Sequence, residues 1–142
     1  MEPRTPLPPR PGIDCADPTA DGAHIANLDW YDGPLLVLTR VGAALYLVLW
    51  CDVDDETHRW LAVRISRDRL DAFGMGTVTL RSMFARPADG CVFVLDATAD
   101  RTFGCSRARV DEIPADWFPG DVPHPRDEWH RQPAEAALAE VA

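Results

Sequence analysis

The stretch AALYLVLWC, residues 43–51, limits the folds open to this chain more than any other part of it. Alternate side chains of an extended strand point to opposite faces of a sheet, and here both alternating sets are apolar. One set is Leu45, Leu47, Leu49 and Cys51, and the other is Tyr46, Val48 and Trp50. Such a strand needs cover on both faces, so we expect it in the interior of a sheet.

Further strand-like runs lie on either side of this segment. LLVLTR precedes it across a short turn, and RWLAVRI follows it across a polar loop. Because these connections are too short for parallel crossovers, the three segments predict an antiparallel meander. Two more strands, CVFVLDA and TFGCSRARV, follow later in the chain around a polar turn near Ala99 and Asp100.

Two short helices are expected between the third and fourth of these strands. Ser66 is placed to cap a helix that ends at Gly74, and Thr79 to cap a second helix that Pro87 ends. The sequence therefore predicts an α+β fold with an antiparallel sheet of about five strands, in the order β-β-β-α-α-β-β.

The chain length suits a single core, and composition divides the chain into three parts. Residues 1–24 are rich in Pro, Asp, Ala and Gly, so we expect a disordered leader. Residues 25–119 form the predicted α+β domain. Residues 120–142 are expected to be an acidic tail with a short C-terminal helix. On this division, both ends can be deleted without loss of cooperative folding.

The distribution of charge argues against one class of partner. Residues 26–110 carry ten Arg and eleven acidic residues, whereas residues 111–142 carry two Arg and eight acidic residues. The net charge is −9, which disfavours nucleic-acid binding.

Membrane insertion and secretion are not expected either. The longest apolar run, residues 43–51, is too short to span a bilayer, and the N-terminal residues lack the apolar centre of a secretory signal. We therefore expect a cytoplasmic protein whose cysteines are reduced.

The loop from Cys51 to His58 is acidic enough to suggest a metal site. A calcium loop starting at Asp52 would need Gly at its sixth position and Glu at its twelfth, where the chain has Thr57 and Val63. A zinc site would need two further ligands besides Cys51 and His58, and the other thiols are isolated in sequence. The pattern is typical of a solvated hairpin loop, and we predict no metal and no cofactor.

No sequence motif assigns a reaction, so no catalytic residue is proposed, but one group of residues suggests a binding surface. Trp60 and Arg64 share one side of their strand, and Arg107 and Arg109 share one side of the last strand. Arg suits carboxylate and phosphate groups through its planar guanidinium. These four residues are the candidate binding site, for an anionic partner or for the acidic tail of the chain itself.

Several short segments are similar to those of a family of small uncharacterised bacterial α+β domains, over about residues 30–119. The matching pieces are Asp32-Gly33-Pro34-Leu35-Leu36, Leu45-Tyr46-Leu47 with Trp50 and Asp52, Trp60-Leu61, Arg69-Leu70 and Thr79-Leu80-Arg81. The family has no established activity, so the resemblance implies domain limits and gives no residue a role. Cys51, His58 and the extensions at both ends depart from its pattern.

Two functions remain open at this level. The first is a non-enzymatic cytosolic protein-interaction module, such as an accessory or immunity-type protein that neutralises an unknown protein partner. The second is a small-molecule-binding protein or enzyme with a pocket near the Trp60 and Arg64 face. A pocket with convergent titratable groups favours the second function, and a flat, partly apolar patch favours the first.

Overall fold

The computed structural model describes residues 7–30, 34–54, 56–98 and 100–119. These residues form strands and two helices. The strands are β1 (Ile13–Asp14), β2 (Ala23–Trp30), β3 (Pro34–Val41), β4 (Ala44–Val53), β5 (His58–Ile65), β6 (Cys91–Ala97) and β7 (Thr102–Arg109). The helices are α1 (Arg67–Gly74) and α2 (Leu80–Ala85), and two single 3-10 turns follow β7 at Val110–Glu112 and Ala115–Trp117.

The strands form one antiparallel sheet in the order β1-β7-β6-β5-β4-β3-β2. β4 lies between β3 and β5, in the interior position that its two apolar faces predict. The mixed α+β composition is confirmed, with α1 and α2 between β5 and β6.

The predicted strand count was wrong, because two strands precede the five that the sequence indicates. β1 has two exposed residues, too few to show any periodicity. β2 is an edge strand whose pairing with β3 is interrupted by register shifts, and it carries polar residues at His24, Asn27 and Asp29. Bulges and polar residues are common at sheet edges, and they remove the alternation that identifies a strand.

The predicted leader also needs correction for the part that the structure describes. Residues 7–12 lead into β1, which pairs with β7, and β2 begins at Ala23. This segment is placed against the sheet by backbone pairing and by side-chain contacts to β5, β6 and β7. The predicted acidic tail and its helix, residues 120–142, lie outside the described residues.

The main core lies between one face of the sheet and the two helices. We call this face the helix-covered face. Ser66 and Thr79 cap the helices as predicted, since their hydroxyl oxygens accept hydrogen bonds from the backbone N–H groups of Arg69 and Ser82. The buried residues of this core are Leu36, Leu38, Leu45, Leu47, Leu61, Val63, Ile65, Leu70, Phe73, Leu80, Met83, Phe84, Val92, Val94, Ala108, Ile113 and Trp117.

A smaller apolar cluster lies on the opposite face, which we call the second face. Its members are Ala62, Leu95 and Cys105, with Cys15, Val48, Trp60 and Phe93 packed against them. Residues 15–22 connect β1 to β2, and both ends of this connection lie on the second face. Cys15 belongs to the cluster, and Gly22 lies against the side chain of Thr39, whose register partner Tyr46 contacts the ring of Phe93. The connection therefore crosses the second face.

In the described part of the chain, neither helix has the length or the apolar character that crossing a bilayer requires.

Candidate interaction surface

All four residues of the predicted binding site lie on the second face. Trp60 belongs to the cluster there, and Arg64 continues the same alternation along β5. Arg107 is the register partner of Phe93, and directly opposed side chains of antiparallel strands lie on the same side of a sheet. Arg109 lies one alternation further along β7. The strand β6 separates Arg64 from Arg109, so their backbones are about 10 Å apart.

The three Arg side chains are exposed, but their surroundings differ. Arg109 forms ion pairs with Asp111 at 3.2 Å and Glu112 at 3.6 Å, measured from its Nε. Among the described residues, no ion pair includes Arg64 or Arg107. A hydrogen bond with Cys91 raises the pKa of Arg107 above its ordinary value. Arg64 and Arg107 are therefore the cations of this face that an external carboxylate can pair with.

Apolar surface lies beside these cations. Ile13, the register partner of Arg107, has 79% of its surface exposed, and Trp60 and Phe93 are half-buried. We define the Arg64–Arg107 face as Ile13, Trp60, Arg64, Phe93 and Arg107. Aromatic residues and Arg side by side are typical of the central part of protein interfaces.

A cleft of about 450 Å³ lies beside Arg64, at the start of α1. Arg64, Ser66, Arg67 and Asp89 contribute its polar lining, and Leu45 and Ile65 part of its apolar lining. The lining of this cleft includes Arg64 but not Trp60.

A buried ion network lies on the helix-covered face, and the sequence analysis did not predict it. Asp96 accepts hydrogen bonds from Nε and Nη2 of Arg59, at 2.7 and 3.0 Å, and from Nη1 of Arg10 at 2.9 Å. Nη1 of Arg59 also donates to the carbonyl oxygen of Pro8, and its guanidinium lies 5.2 Å from the centre of the Trp117 ring. We call this group the Arg59–Asp96–Arg10 clasp.

The central pair of the clasp, Arg59 and Asp96, is buried. The side chains of Arg59 and Asp96 are only 3% and 7% exposed. Burial alone would raise the pKa of Asp96, but the hydrogen bonds from Arg59 and Arg10 outweigh it and lower that pKa below its usual value. The arrangement fixes residues 8–10 against β5 and β6, which indicates a structural role.

One signal in the sequence points to the clasp. Arg59 occupies the same side of β5 as the core residues Leu61 and Val63, and Asp96 the same side of β6 as Val94. A charge in a core-facing position needs a buried partner. Sequence reasoning found Arg64 on the opposite side of β5 and overlooked Arg59.

The loop between β4 and β5 is held by its own side chains. A carboxylate oxygen of Asp54 accepts from the N–H of Thr57 at 3.0 Å, and Nδ1 of His58 accepts from Nε1 of Trp50 at 3.0 Å. Burial raises the pKa of the Cys51 thiol to about 12, so without a metal ion this thiol is protonated and neutral. Among the described residues, which leave out Asp55, no three His, Cys, Asp or Glu side chains are grouped as metal ligands.

Comparison with known protein families gives a match over most of the described residues. The model of a family of unknown function, DUF6575, matches residues 24–119. The chain belongs to this family. The match confirms the resemblance to an uncharacterised domain, and the DUF6575 region contains β3–β7, both helices and all of β2 except Ala23. Arg10, Ile13 and Cys15 precede it. No curated protein gives a significant match, and no solved structure does.

Proposed function

We propose that this DUF6575 protein is a non-enzymatic, cytoplasmic protein-interaction module that binds an acidic segment of a partner protein on the Arg64–Arg107 face. The observation that carries the proposal is the pairing of two exposed cations, Arg64 and Arg107, with half-buried aromatic residues on one sheet face. An accessory or immunity-type role, in which the domain neutralises its partner, is one form of this proposal.

The chemistry of the face supports an acidic, partly apolar ligand. Arg side chains donate paired hydrogen bonds to carboxylates, and neither Arg64 nor Arg107 has an ion-pair partner among the residues described. Trp60 and Phe93 offer apolar area at small cost in side-chain entropy. The exposed Ile13 extends this area to the edge of the sheet.

The titratable groups support binding rather than catalysis. Arg10 and Arg59 both donate hydrogen bonds to Asp96, and these contacts, with the bond from Arg59 to Pro8, hold residues 8–10 in place. A general acid or base needs an unsatisfied group that can reach a substrate. The structural role of the clasp explains why these three charged side chains lie together.

The test compares charge reversals at matched positions. Arg107→Glu changes the Arg64–Arg107 face, whereas Arg86→Glu makes the same change at an exposed position after α2. Partners of the full chain are captured from the source cell, identified by mass spectrometry, purified and titrated against each variant. We expect Arg107→Glu to weaken binding at least tenfold, a loss of about 1.4 kcal/mol, and Arg86→Glu to leave it unchanged.

Two further measurements test the same proposal. Raising the salt concentration should weaken binding to the unmodified protein, because exposed charges are screened over about 8–10 Å at ordinary ionic strength. Deleting residues 121–142 should strengthen binding if the acidic tail competes for the same Arg residues. Equal affinity of the folded Arg107→Glu and Arg86→Glu proteins for every partner would disprove the proposal.

The cleft beside Arg64 favours a second candidate function, the binding of a small anionic molecule. Arg64 and Arg67 both line it, whereas Arg107 does not. Arg67→Glu therefore separates the candidates: it should abolish small-anion binding while the protein partner is retained. Loss of the protein partner in Arg67→Glu but not in Arg107→Glu would move the proposed site into the cleft.

A further inference from the structure

Two of the four cysteines are in direct contact. The sulfur atoms of Cys15 and Cys105 are 3.3 Å apart, and the backbone N–H of Cys15 donates to the carbonyl oxygen of Cys105 at 3.0 Å. This bond extends the pairing of β1 with β7, in which Ile13 faces Arg107 and Asp14 faces Ser106. The two cysteines are therefore directly opposed on antiparallel segments.

The backbone geometry of this position permits a disulfide. Opposed residues of antiparallel strands have Cα atoms about 4.5–5.5 Å apart, and disulfides span Cα separations of about 4.4–6.8 Å. Both side chains belong to the cluster on the second face, so they point to the same side. To form a covalent bond, the two sulfur atoms must come closer together than 3.3 Å. The backbone separation already suits a disulfide, so neither strand has to be displaced.

We propose that Cys15 and Cys105 form a redox-sensitive pair that is converted to an intramolecular disulfide by a peroxide oxidant. The Cys15 thiolate attacks one oxygen of hydrogen peroxide, the O–O bond breaks, and the leaving hydroxide takes a proton to become water. Cys105 then attacks the resulting sulfenic sulfur, which releases its hydroxyl group as a second water with the Cys105 proton. Two thiols are oxidised by two electrons, and one peroxide is reduced to two waters.

The surroundings of the two thiols assign their order of reaction. Cys15 is half-buried on the edge segment and is the thiol that an oxidant can reach, whereas Cys105 is buried. Burial, together with the neighbouring Cys15, raises the pKa of Cys105 far above its ordinary value. Cys105 therefore remains a protonated thiol until the sulfenic acid forms beside it. This half-exposed and buried pair is suited to a slow, selective reaction.

The other two cysteines provide an internal control. Neither Cys51 nor Cys91 has a sulfur atom of a described cysteine within bonding reach. Cys51 is desolvated, with a pKa of about 12, and Cys91 lies beside Arg107. A pairing that depends on geometry should therefore involve Cys15 and Cys105 and leave these two thiols unlinked.

The disulfide would change how the N-terminal segment is held. It would join β1 to β7 covalently and close a chain loop from residue 15 to residue 105. A cross-link over a loop of this length stabilises a domain mainly by limiting its unfolded chain. It would also fix the residues 15–22 on the second face. This inference does not depend on the proposed partner.

The experiment treats the reduced full-length protein with hydrogen peroxide and maps the cysteines by peptide mass spectrometry. We expect a monomer that has lost two hydrogens, a cross-linked peptide pair containing Cys15 and Cys105, and reversal by dithiothreitol. The melting temperature of the oxidised protein should rise by about 10 °C.

Two variants make the result specific. A Cys51→Ser, Cys91→Ser double variant should keep both the cross-link and the rise in melting temperature. Cys15→Ser, at a half-exposed position, should lose both while remaining folded. A cross-link between different cysteines, dimers linked between chains, or oxidation of Cys15 to a sulfinic acid without any cross-link would each overturn the proposal.

Discussion

Arg59 and Asp96 are charged residues at positions where β5 and β6 otherwise direct apolar side chains into the core. Removing such charges from water costs several kcal/mol each, roughly, and only close pairing offsets that cost. Here the carboxylate receives three hydrogen bonds from two guanidinium groups. The stability of the clasp therefore depends strongly on each of its three charged residues.

Asp96→Asn tests this dependence. The substitution keeps the shape of the side chain but leaves Arg59 buried without a counter-charge, so we expect a loss of about 3 kcal/mol in the free energy of unfolding. Urea unfolding measures it, with the exposed Asp100→Asn as the matched control. A loss equal to that of the control would show that the clasp contributes nothing to stability.

Acid pH provides a second test of the clasp. The pKa of Asp96 is lower in the folded protein than its ordinary value of 3.8. The ion pairs therefore stabilise the fold above about pH 4 and lose that contribution as the pH falls towards the folded-state pKa. We expect the unfolding free energy of the unmodified protein to decrease more steeply between about pH 5 and pH 2 than that of Asp96→Asn. Parallel slopes would contradict the assignment.

At the scale of elements, β1 depends on a single glycine. Gly12 has φ +89°, a backbone conformation that residues with a side chain rarely adopt, and a Cβ atom there would collide with the carbonyl group of Arg107. The chain turns at Gly12 from the clasp into β1. The shortest strand of the sheet is thus positioned by the residue before it and by pairing with β7.

Gly12→Ala should release β1 from β7. We expect it to cost about 2 kcal/mol or more, because backbone strain adds to a collision with backbone atoms. Gly42→Ala is the matched control, since Gly42 also has a positive φ, +59°, but has open space at its Cβ position. Hydrogen exchange at the amide of Cys15, which donates to Cys105, measures the pairing directly. Unchanged protection in Gly12→Ala would show that β1 does not need this turn.

The elements that the sequence predicted are those with a regular apolar pattern. β3–β7 alternate or are apolar on both faces, and Ser66 and Thr79 mark the helix starts, so local physics identifies them. β1 is defined by its partner β7, far away in sequence, and leaves no local signal. Alternation placed Trp60 with Arg64 on one side of β5, and Arg107 with Arg109 on one side of β7, but it did not show that the two pairs share a face of the sheet. The clasp joins Pro8 to Arg59, 51 positions later, and Arg10 to Asp96, 86 positions later. Such contacts depend on the complete topology of the sheet, so no local sequence pattern predicts them.

In the molecule as a whole, the described residues that precede the DUF6575 region contact both faces of the sheet. Arg10 belongs to the clasp on the helix-covered face, and Cys15 packs in the cluster on the second face. The hydroxyl group of Ser106, which is fully buried, donates to the carbonyl oxygen of Pro11 at 2.7 Å. These contacts indicate that the folding unit begins earlier than residue 24.

Deletion of residues 1–22 should therefore be costly. It removes the Arg10 partner of Asp96 and the cover of the second face, and we expect a loss of about 3 kcal/mol in unfolding free energy. Deletion of residues 121–142 provides the comparison, and we expect it to leave the unfolding transition cooperative and its midpoint unchanged. Thermal unfolding followed by circular dichroism measures both. If both deletions are tolerated equally, residues 7–22 are dispensable.

The strand order also sets a sequence of events during synthesis. Of the described strands, β1 is made before the others but pairs with β7, which is made after the others, while β2–β6 pair with neighbours that emerge soon after them. At roughly 5–20 residues per second, Ile13 waits on the order of 5–20 seconds for Arg107 to leave the ribosome. Until β7 has emerged, β1 lacks the strand with which it pairs. Among the described strands, β1 is therefore the last to find its partner in the sheet, although it is translated before the other six.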